Sequence, residues 1–219
     1  MAGLRGLNSG VSGARPSAAL PEIATERLVV RLARPGMEGP LAEFLSANFP
    51  GHLDRWSPPV GHGFFTEAFW REKLRISLDE FHNDRTVRFV MQVKPAKAGD
   101  VPIDAPIVGT CNYTNIVRGP FQACHLGYQV GRAQQGLGLM HEALVHGNGY
   151  MFRERRLHRI MANHRPENER SARLLARLGF RREGLAERYL FIDGDWRDHI
   201  LTALVNQDFD AAWIESAGR

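Results

Sequence analysis

Nine residues in the middle of the chain, Val130-Gly131-Arg132-Ala133-Gln134-Gln135-Gly136-Leu137-Gly138, restrict the fold more than any other segment. The residues before them, His125 to Val130, read as a β-strand. After them Met140, Ala143, Leu144 and Met151 recur at helical spacing. A strand therefore runs through a glycine loop straight into a helix. The first-turn amides of such a helix have no intrahelical partner, and they carry the positive end of the helix dipole. A pyrophosphate can sit against them if no Cβ blocks its approach, and Gly136 and Gly138 remove that block. Two rival phosphate loops are excluded. A P-loop needs Gly-Lys-Ser or Gly-Lys-Thr, but Leu139-Met140 follows Gly138. The dinucleotide fingerprint needs a third glycine where His141 stands. What remains suits a diphosphate ligand without bound Mg²⁺.

The rest of the chain frames this loop. Leu28, Val30 and Leu32 alternate as a first strand, and Pro40 to Phe49 reads as a short helix. Pro50 to Gly63, rich in proline and glycine, reads as a loop. Thr66 is placed to cap a helix bearing Phe69, Trp70, Leu74, Leu78 and Phe81. Val87 to Val93, Ile107 to Ile116 and Arg159 to Ala162 read as strands, with a loop over Pro95 to Pro106. Asn168 is placed to cap a helix with Leu174, Leu175 and Leu178, stopped by Gly179. Tyr189 to Ile192 and Trp196 to Val205 form a hairpin through Asp193-Gly194. Gly147 and Gly149 weaken the central helix by about 1 kcal/mol each relative to alanine. The result is one mixed α+β domain over residues 22–210. Residues 1–21 are expected to be a disordered tail and 211–219 a C-terminal tail; the glycines of the N-terminal stretch argue against a helical transit peptide.

Composition removes several classes. No apolar run approaches the roughly 20 residues of a membrane helix. Cys111 and Cys124 sit in no CxxC pair, so two reduced thiols are expected, with a cross-strand disulfide as the alternative. His141, His146 and His158 lack any ligand spacing, and no metal is expected. A net charge of +4 suits a phosphate-binding pocket or weak RNA contact and proves neither.

The segments His125-Leu126-Gly127-Tyr128-Gln129-Val130 and Gln135-Gly136-Leu137-Gly138-Leu139-Met140-His141-Glu142-Ala143-Leu144 together resemble the acetyl-CoA motif of the GNAT acetyltransferases. Asn168-Glu169-Arg170-Ser171 and Arg177-Leu178-Gly179-Phe180 resemble its second half. Thr25-Glu26-Arg27-Leu28 is similar to the opening of the ribosomal-protein N-acetyltransferase subgroup. Arg159 to Asn163 and Asp193 to His199 are most similar to its alanine-directed branch. The resemblance covers about residues 22–208. It implies a GNAT-like fold, with a central twisted mixed sheet, a splayed strand pair and helices on both faces.

It also implies the ligand and its cradle. Acetyl-CoA is the implied co-substrate. Its pantetheine would lie along the backbone of Tyr128, Gln129 and Val130, and its pyrophosphate on the amides of Gly136, Leu137, Gly138, Leu139 and Met140. Asn168 and Ser171 would lie near the pantetheine and the sulfur. The implied acceptor is the N-terminus of a small-subunit ribosomal protein, in the cytoplasm. Two positions depart from the general family pattern. Ala133 stands where Gln or Arg is usual, and Leu175 stands where many members carry a tyrosine acid.

The reaction needs a neutral amine, a polarised carbonyl and a route for protonating the leaving thiolate. Ser171 is the first candidate for the proton donor, the role that a serine there has in the resembling subgroup; Tyr189 is the second. Glu187 is a candidate base acting through water. Asp198 and His199 are adjacent on a strand, point to opposite faces and read as structural. Two other readings stay open: acetylation of a small amine, and a non-catalytic acyl-CoA sensor or RNA-binding module. Arg153 to Arg156 and Arg181-Arg182 offer basic surface for the last, without an interleaved aromatic platform.

Overall fold

The computed structural model describes residues 19–95, 99–212 and 214. Residues 1–18 of the expected N-terminal tail, and most of the C-terminal one, lie outside the described residues; Leu20 packs against the core and the Pro21 carbonyl accepts from the Leu32 amide. Eight strands form a single sheet: β1 (Glu22–Ala24), β2 (Leu28–Leu32), β3 (Val87–Val93), β4 (Ile107–Val117), β5 (Ala123–Val130), β6 (Arg159–Met161), β7 (Arg181–Ile192) and β8 (Asp195–Val205). Four helices accompany them: α1 (Glu38–Asn48), α2 (Glu67–His82), α3 (Leu139–Arg153) and α4 (Glu169–Arg177). The strand order is β1-β2-β3-β4-β5-β6-β8-β7. Among these strands only the β5–β6 pair is parallel, with α3 as its crossover; α1 and α2 also join neighbouring strands, β2 and β3, but that pair is antiparallel.

The period-two alternation along the strands divides two cores between the faces of the sheet. Leu28, Val30, Leu32, Phe89, Met91, Cys111, Tyr113 and Leu126 pack with Leu139, Met140, Ala143, Leu144 and Met151 of α3 and with Leu175 of α4. Val90 and Ile107 pack instead with Leu41, Phe44 and Leu45 of α1 and Leu74 of α2. Helices therefore cover both faces, as the sequence leads one to expect. Leu175, at the usual tyrosine position, is a fully buried core residue. Cys111 and Cys124 are free, buried thiols, not a disulfide.

Local signals act where expected. Thr66 Oγ1 accepts from the Phe69 amide at the start of α2. Asn168 Oδ1 accepts from the Ser171 amide at the start of α4. Asp193 and Gly194 both have positive φ, 54° and 73°, as the tight β7–β8 turn requires. Gly147 has a packing reason: a Cβ there would stand 2.6 Å from the Tyr113 hydroxyl, which donates to Asn148 Oδ1.

Three features depart from the sequence reading. A short strand, β1, precedes the first one expected. The Pro50 to Gly63 region carries a wide, kinked turn over Phe49–Leu53, with Pro50 and Gly51 at non-helical angles, then a tight helical turn over Asp54–Trp56 and another starting at His62. β7 begins at Arg181, eight residues before the expected Tyr189. Its residues 187–189 bulge out opposite the single residue Asp198, since Ala186 pairs with His199 and Leu190 with Arg197. Arg188 takes φ 48° there, and its amide donates to Asp198 Oδ1 at 2.8 Å.

Candidate active site

β5 and β6 pair only through Ala123–Arg159, Cys124–Ile160 and His125–Met161. β5 then continues to Val130, still paired with β4 up to Gly109–Val130. Its other edge, from Leu126 onward, has no neighbouring strand among the described residues. β6 is held elsewhere: the Ala162 amide donates to the Thr202 carbonyl, and Thr202 Oγ1 donates back to the Ala162 carbonyl. The two parallel strands thus form a fork. Unpaired strand edges present free N–H and C=O groups, which suits an extended arm with alternating amides.

At the open end of the fork, Gly131 donates to the Val108 carbonyl and the chain turns into the glycine loop. Gly136 and Gly138 both have φ +77°, a left-handed conformation in which a side chain is strained. A Cβ on Gly136 would meet only open space, so backbone conformation demands glycine there. Gly138 caps α3, whose first turn includes buried Leu139 and Met140; Leu137 projects outward and is exposed. The N–H groups of residues 136–140 have no hydrogen-bond acceptor among the described residues. Five amides without a partner on a glycine turn suit an anion cradle.

The fork has a polar centre. Tyr128 and Ser171 bring their hydroxyls to 2.6 Å, from β5 and the first turn of α4 respectively. Burial pushes the Tyr128 phenol up to about 12, so it stays protonated at neutral pH. Gln129 faces the other side of the sheet and donates to Ser57 Oγ at 3.1 Å. His52 donates from Nε2 to the Val130 carbonyl at 3.1 Å; the carbonyl can only accept, so that ring nitrogen carries the proton. The turn Asp54–Trp56 is held across the fork by Arg165, which donates to the Arg55 carbonyl and lies 5.4 Å from the Trp56 ring centre.

The remaining candidates separate. Tyr189 is partly exposed, and its hydroxyl accepts from Asn163 Nδ2 at 3.2 Å, just beyond the end of β6. No contact joins it to Ser171 among the described residues. Glu187 is exposed in the β7 bulge and makes no ion pair or hydrogen bond with another described residue. Asp198 holds that bulge, and His199 is buried with Nδ1 against the Arg197 carbonyl. Arg155, part of the basic run, is occupied internally by Asp84 at 2.9 Å and by the Phe81 ring. Among the described residues no three His, Cys, Asp or Glu side chains gather as a metal site requires. No helix is long and apolar enough to cross a membrane among them.

Sequence reasoning missed His125 as a site residue. It occupies the vertex of the fork, its Nδ1 is buried without a hydrogen-bond partner among the described residues, and burial holds its pKa below the ordinary value. The dipeptide pattern around it signals only a strand. It also missed the role of Arg27, whose guanidinium donates to the Leu137 carbonyl at 2.8 Å within the glycine loop.

Known proteins share this arrangement. The family profile described as acetyltransferase (GNAT) domain matches residues 27–181. The [Ribosomal protein uS5]-alanine N-acetyltransferase of Escherichia coli (strain K12) is 41% identical over 197 residues, covering 90% of this chain and 97% of that protein. Among solved structures, the ribosomal-protein-S5-alanine acetyltransferase of Vibrio fischeri superposes with a TM-score of 0.80 at 36% identity, over 87% of this chain and 99% of that one. Mycobacterium smegmatis RimJ in complex with CoA-disulfide superposes with a TM-score of 0.73 at 31% identity, over 88% and 90%.

Proposed function

The chain belongs to the GNAT acetyltransferase family and is an acetyl-CoA-dependent N-acetyltransferase, and from this premise we propose that its acceptor is the N-terminal α-amine of a ribosomal protein beginning with alanine. The observation that carries the acceptor assignment is the 41% identity, over nearly the whole of both chains, to an enzyme named for that reaction. Such an acceptor implies a reaction in the cytoplasm.

The chemistry of the fork agrees with an α-amine. An N-terminal amine, with a pKa of about 7.7–8.0, is already partly neutral near pH 7.5. A lysine amine near 10.4 needs roughly 3 kcal/mol more to reach the same state. Among the described residues no carboxylate hydrogen-bonds to Tyr128 or Ser171, so an amine that needs little help is favoured.

In this reading the amides of residues 136–140 hold the pyrophosphate, and the free edge of β5 at Tyr128 to Val130 aligns the pantetheine. A β5 amide polarises the thioester carbonyl. The neutral amine attacks the carbonyl carbon, the C–S bond breaks, and Ser171 gives its hydroxyl proton to the departing thiolate while its oxygen takes a proton back from solvent. The proton lost by the amine passes to solvent. Tyr189 and Glu187 stand outside the Tyr128–Ser171 pair, and the donor role is assigned to Ser171.

A CoA-release assay over a panel of peptides tests the acceptor. Turnover is expected to be highest on an alanine-first ribosomal-protein peptide and to vanish when its α-amine is blocked. Preference for a small amine over every peptide would refute the acceptor assignment, and absence of turnover with any amine would favour an acyl-CoA sensor.

A further inference from the structure

The Thr25-Glu26-Arg27-Leu28 segment lies more than a hundred residues from the glycine loop, yet its side chains reach into it. Thr25 Oγ1 donates to Glu142 Oε1 at 2.5 Å, and the Arg27 amide donates to the same oxygen at 2.8 Å. Arg27 Nε donates to Glu142 Oε2 at 2.7 Å, and Arg27 Nη1 to the Leu137 carbonyl at 2.8 Å. Arg27 Nη2 stands 3.4 Å from where a Gly138 Cβ would lie. Lys94 Nζ donates to the Thr25 carbonyl and closes the turn from behind. One guanidinium thus grips both the loop and the first turn of α3.

The Leu137 contact has a stereochemical consequence. A trans peptide points its C=O and N–H in opposite directions. Arg27 draws the Leu137 carbonyl to its own side, so the Gly138 N–H faces the other way, where it has no acceptor among the described residues. A left-handed glycine pair can rotate this peptide at little steric cost, so an external restraint is needed to keep the amide aimed outward. Glu142 adds an electrostatic reason. Its carboxylate favours the helix N-terminus but repels a bound pyrophosphate, and Arg27 offsets that charge. Burial works to raise the Glu142 carboxyl, yet hydrogen bonds from Thr25 and Arg27 outweigh it and hold the group below its ordinary range, ionised at neutral pH.

We infer that Arg27 is a positioning residue for co-substrate binding: it fixes the Leu137–Gly138 peptide with its N–H toward the anion, and so governs affinity for the pyrophosphate part of acetyl-CoA without touching the reacting atoms. This rests on the reading that the glycine loop holds the pyrophosphate. Arg27→Lys keeps the charge, but an ammonium lacks the planar fork that spans Glu142 and Leu137 together.

The test compares two acetyl donors, acetyl-CoA and S-acetyl-pantetheine, which lacks the pyrophosphate, with the same acceptor peptide. Calorimetry with CoA runs alongside and needs no acceptor. Arg27→Gln is expected to raise the Kd for CoA and the KM for acetyl-CoA about tenfold, the scale of one lost charge-assisted hydrogen bond. Saturated kcat, and kcat/KM for S-acetyl-pantetheine, should stay within about twofold. Arg27→Lys should show a smaller loss with the same selectivity for the pyrophosphate-bearing donor. An equal loss on both donors by Arg27→Lys, or unchanged CoA affinity in Arg27→Gln, overturns the inference. If Arg27→Gln fails to fold, Arg27→Lys alone decides. Gly138→Val separates the two levels: if it too fails to discriminate between the donors, the loop reading itself falls. If it discriminates and the Arg27 variants do not, only the role of Arg27 falls.

Discussion

Tyr128 Oη and Ser171 Oγ lie 2.6 Å apart, one hydroxyl from β5 beyond its pairing with β6 and the other on the first turn of α4. Burial pushes the Tyr128 pKa up to about 12, so its phenol stays protonated at neutral pH. In the proposed mechanism Tyr128 Oη donates to Ser171 Oγ, which leaves the serine proton free to point at the sulfur. Ser171→Ala is expected to lower kcat by roughly 10²-fold, the low end for general acid catalysis. CoA affinity should change far less, because only a transition-state interaction is lost. Tyr128→Phe should lower kcat by a smaller factor, and the double variant should be no worse than Ser171→Ala. Full kcat in Ser171→Ala, with chemistry rate-limiting, would remove the serine from the mechanism. A loss in Tyr189→Phe instead would pass the role to Tyr189.

Gly138→Val forces a β-branched residue to φ +77° and brings its Cβ to 3.4 Å from Arg27. CoA affinity should fall at least about tenfold, or about 1.4 kcal/mol. Calorimetry on the variant reads this directly, and an unchanged Kd would show that the pyrophosphate sits elsewhere.

Two histidines titrate against the fold. Burial, the largest cause in each case, lowers the pKa of both His125 and His199 below the ordinary value near 6.5. The unfolded chain therefore takes up protons first as the medium is acidified. The stability that their neutral forms contribute is complete above about pH 6.5 and is lost as pH falls through the lower folded values. The melting temperature should drop between pH 7 and pH 5, and His199→Gln should flatten that drop. An equally steep fall in the variant would assign the acid sensitivity to other groups.

Gly147→Ala sets two effects against each other. Replacing a mid-helix glycine gains about 1 kcal/mol of helix propensity. The new Cβ would lie 2.6 Å from the Tyr113 hydroxyl inside a packed core, and overpacking costs about 1–3 kcal/mol. The variant should melt below the parent. Removing the clashing oxygen with Tyr113→Phe should make the second glycine change less harmful than it is alone. Additive losses in the double variant would contradict the clash.

Short-range physics made much of this protein legible from its residues alone. Gly136 and Gly138 are where only glycine is comfortable, Asn168 and Gly179 bound α4, and Asp193-Gly194 turns the last hairpin, because capping and positive φ are settled within a few residues. Strand alternation likewise told which residues face the two cores. β7 escaped because Arg181 to Arg188 has no alternating apolar pattern; most of it is exposed at the sheet edge, and its bulge interrupts the period. The site itself needed the tertiary structure. Tyr128 meets Ser171 across 43 positions, and Arg27 meets Leu137 and Glu142 across 110 and 115. Periodicity reports which face a side chain occupies, but partners that far apart are chosen by strand order and helix docking. The fork between β5 and β6 exists only because β8 holds β6 while β5 follows β4.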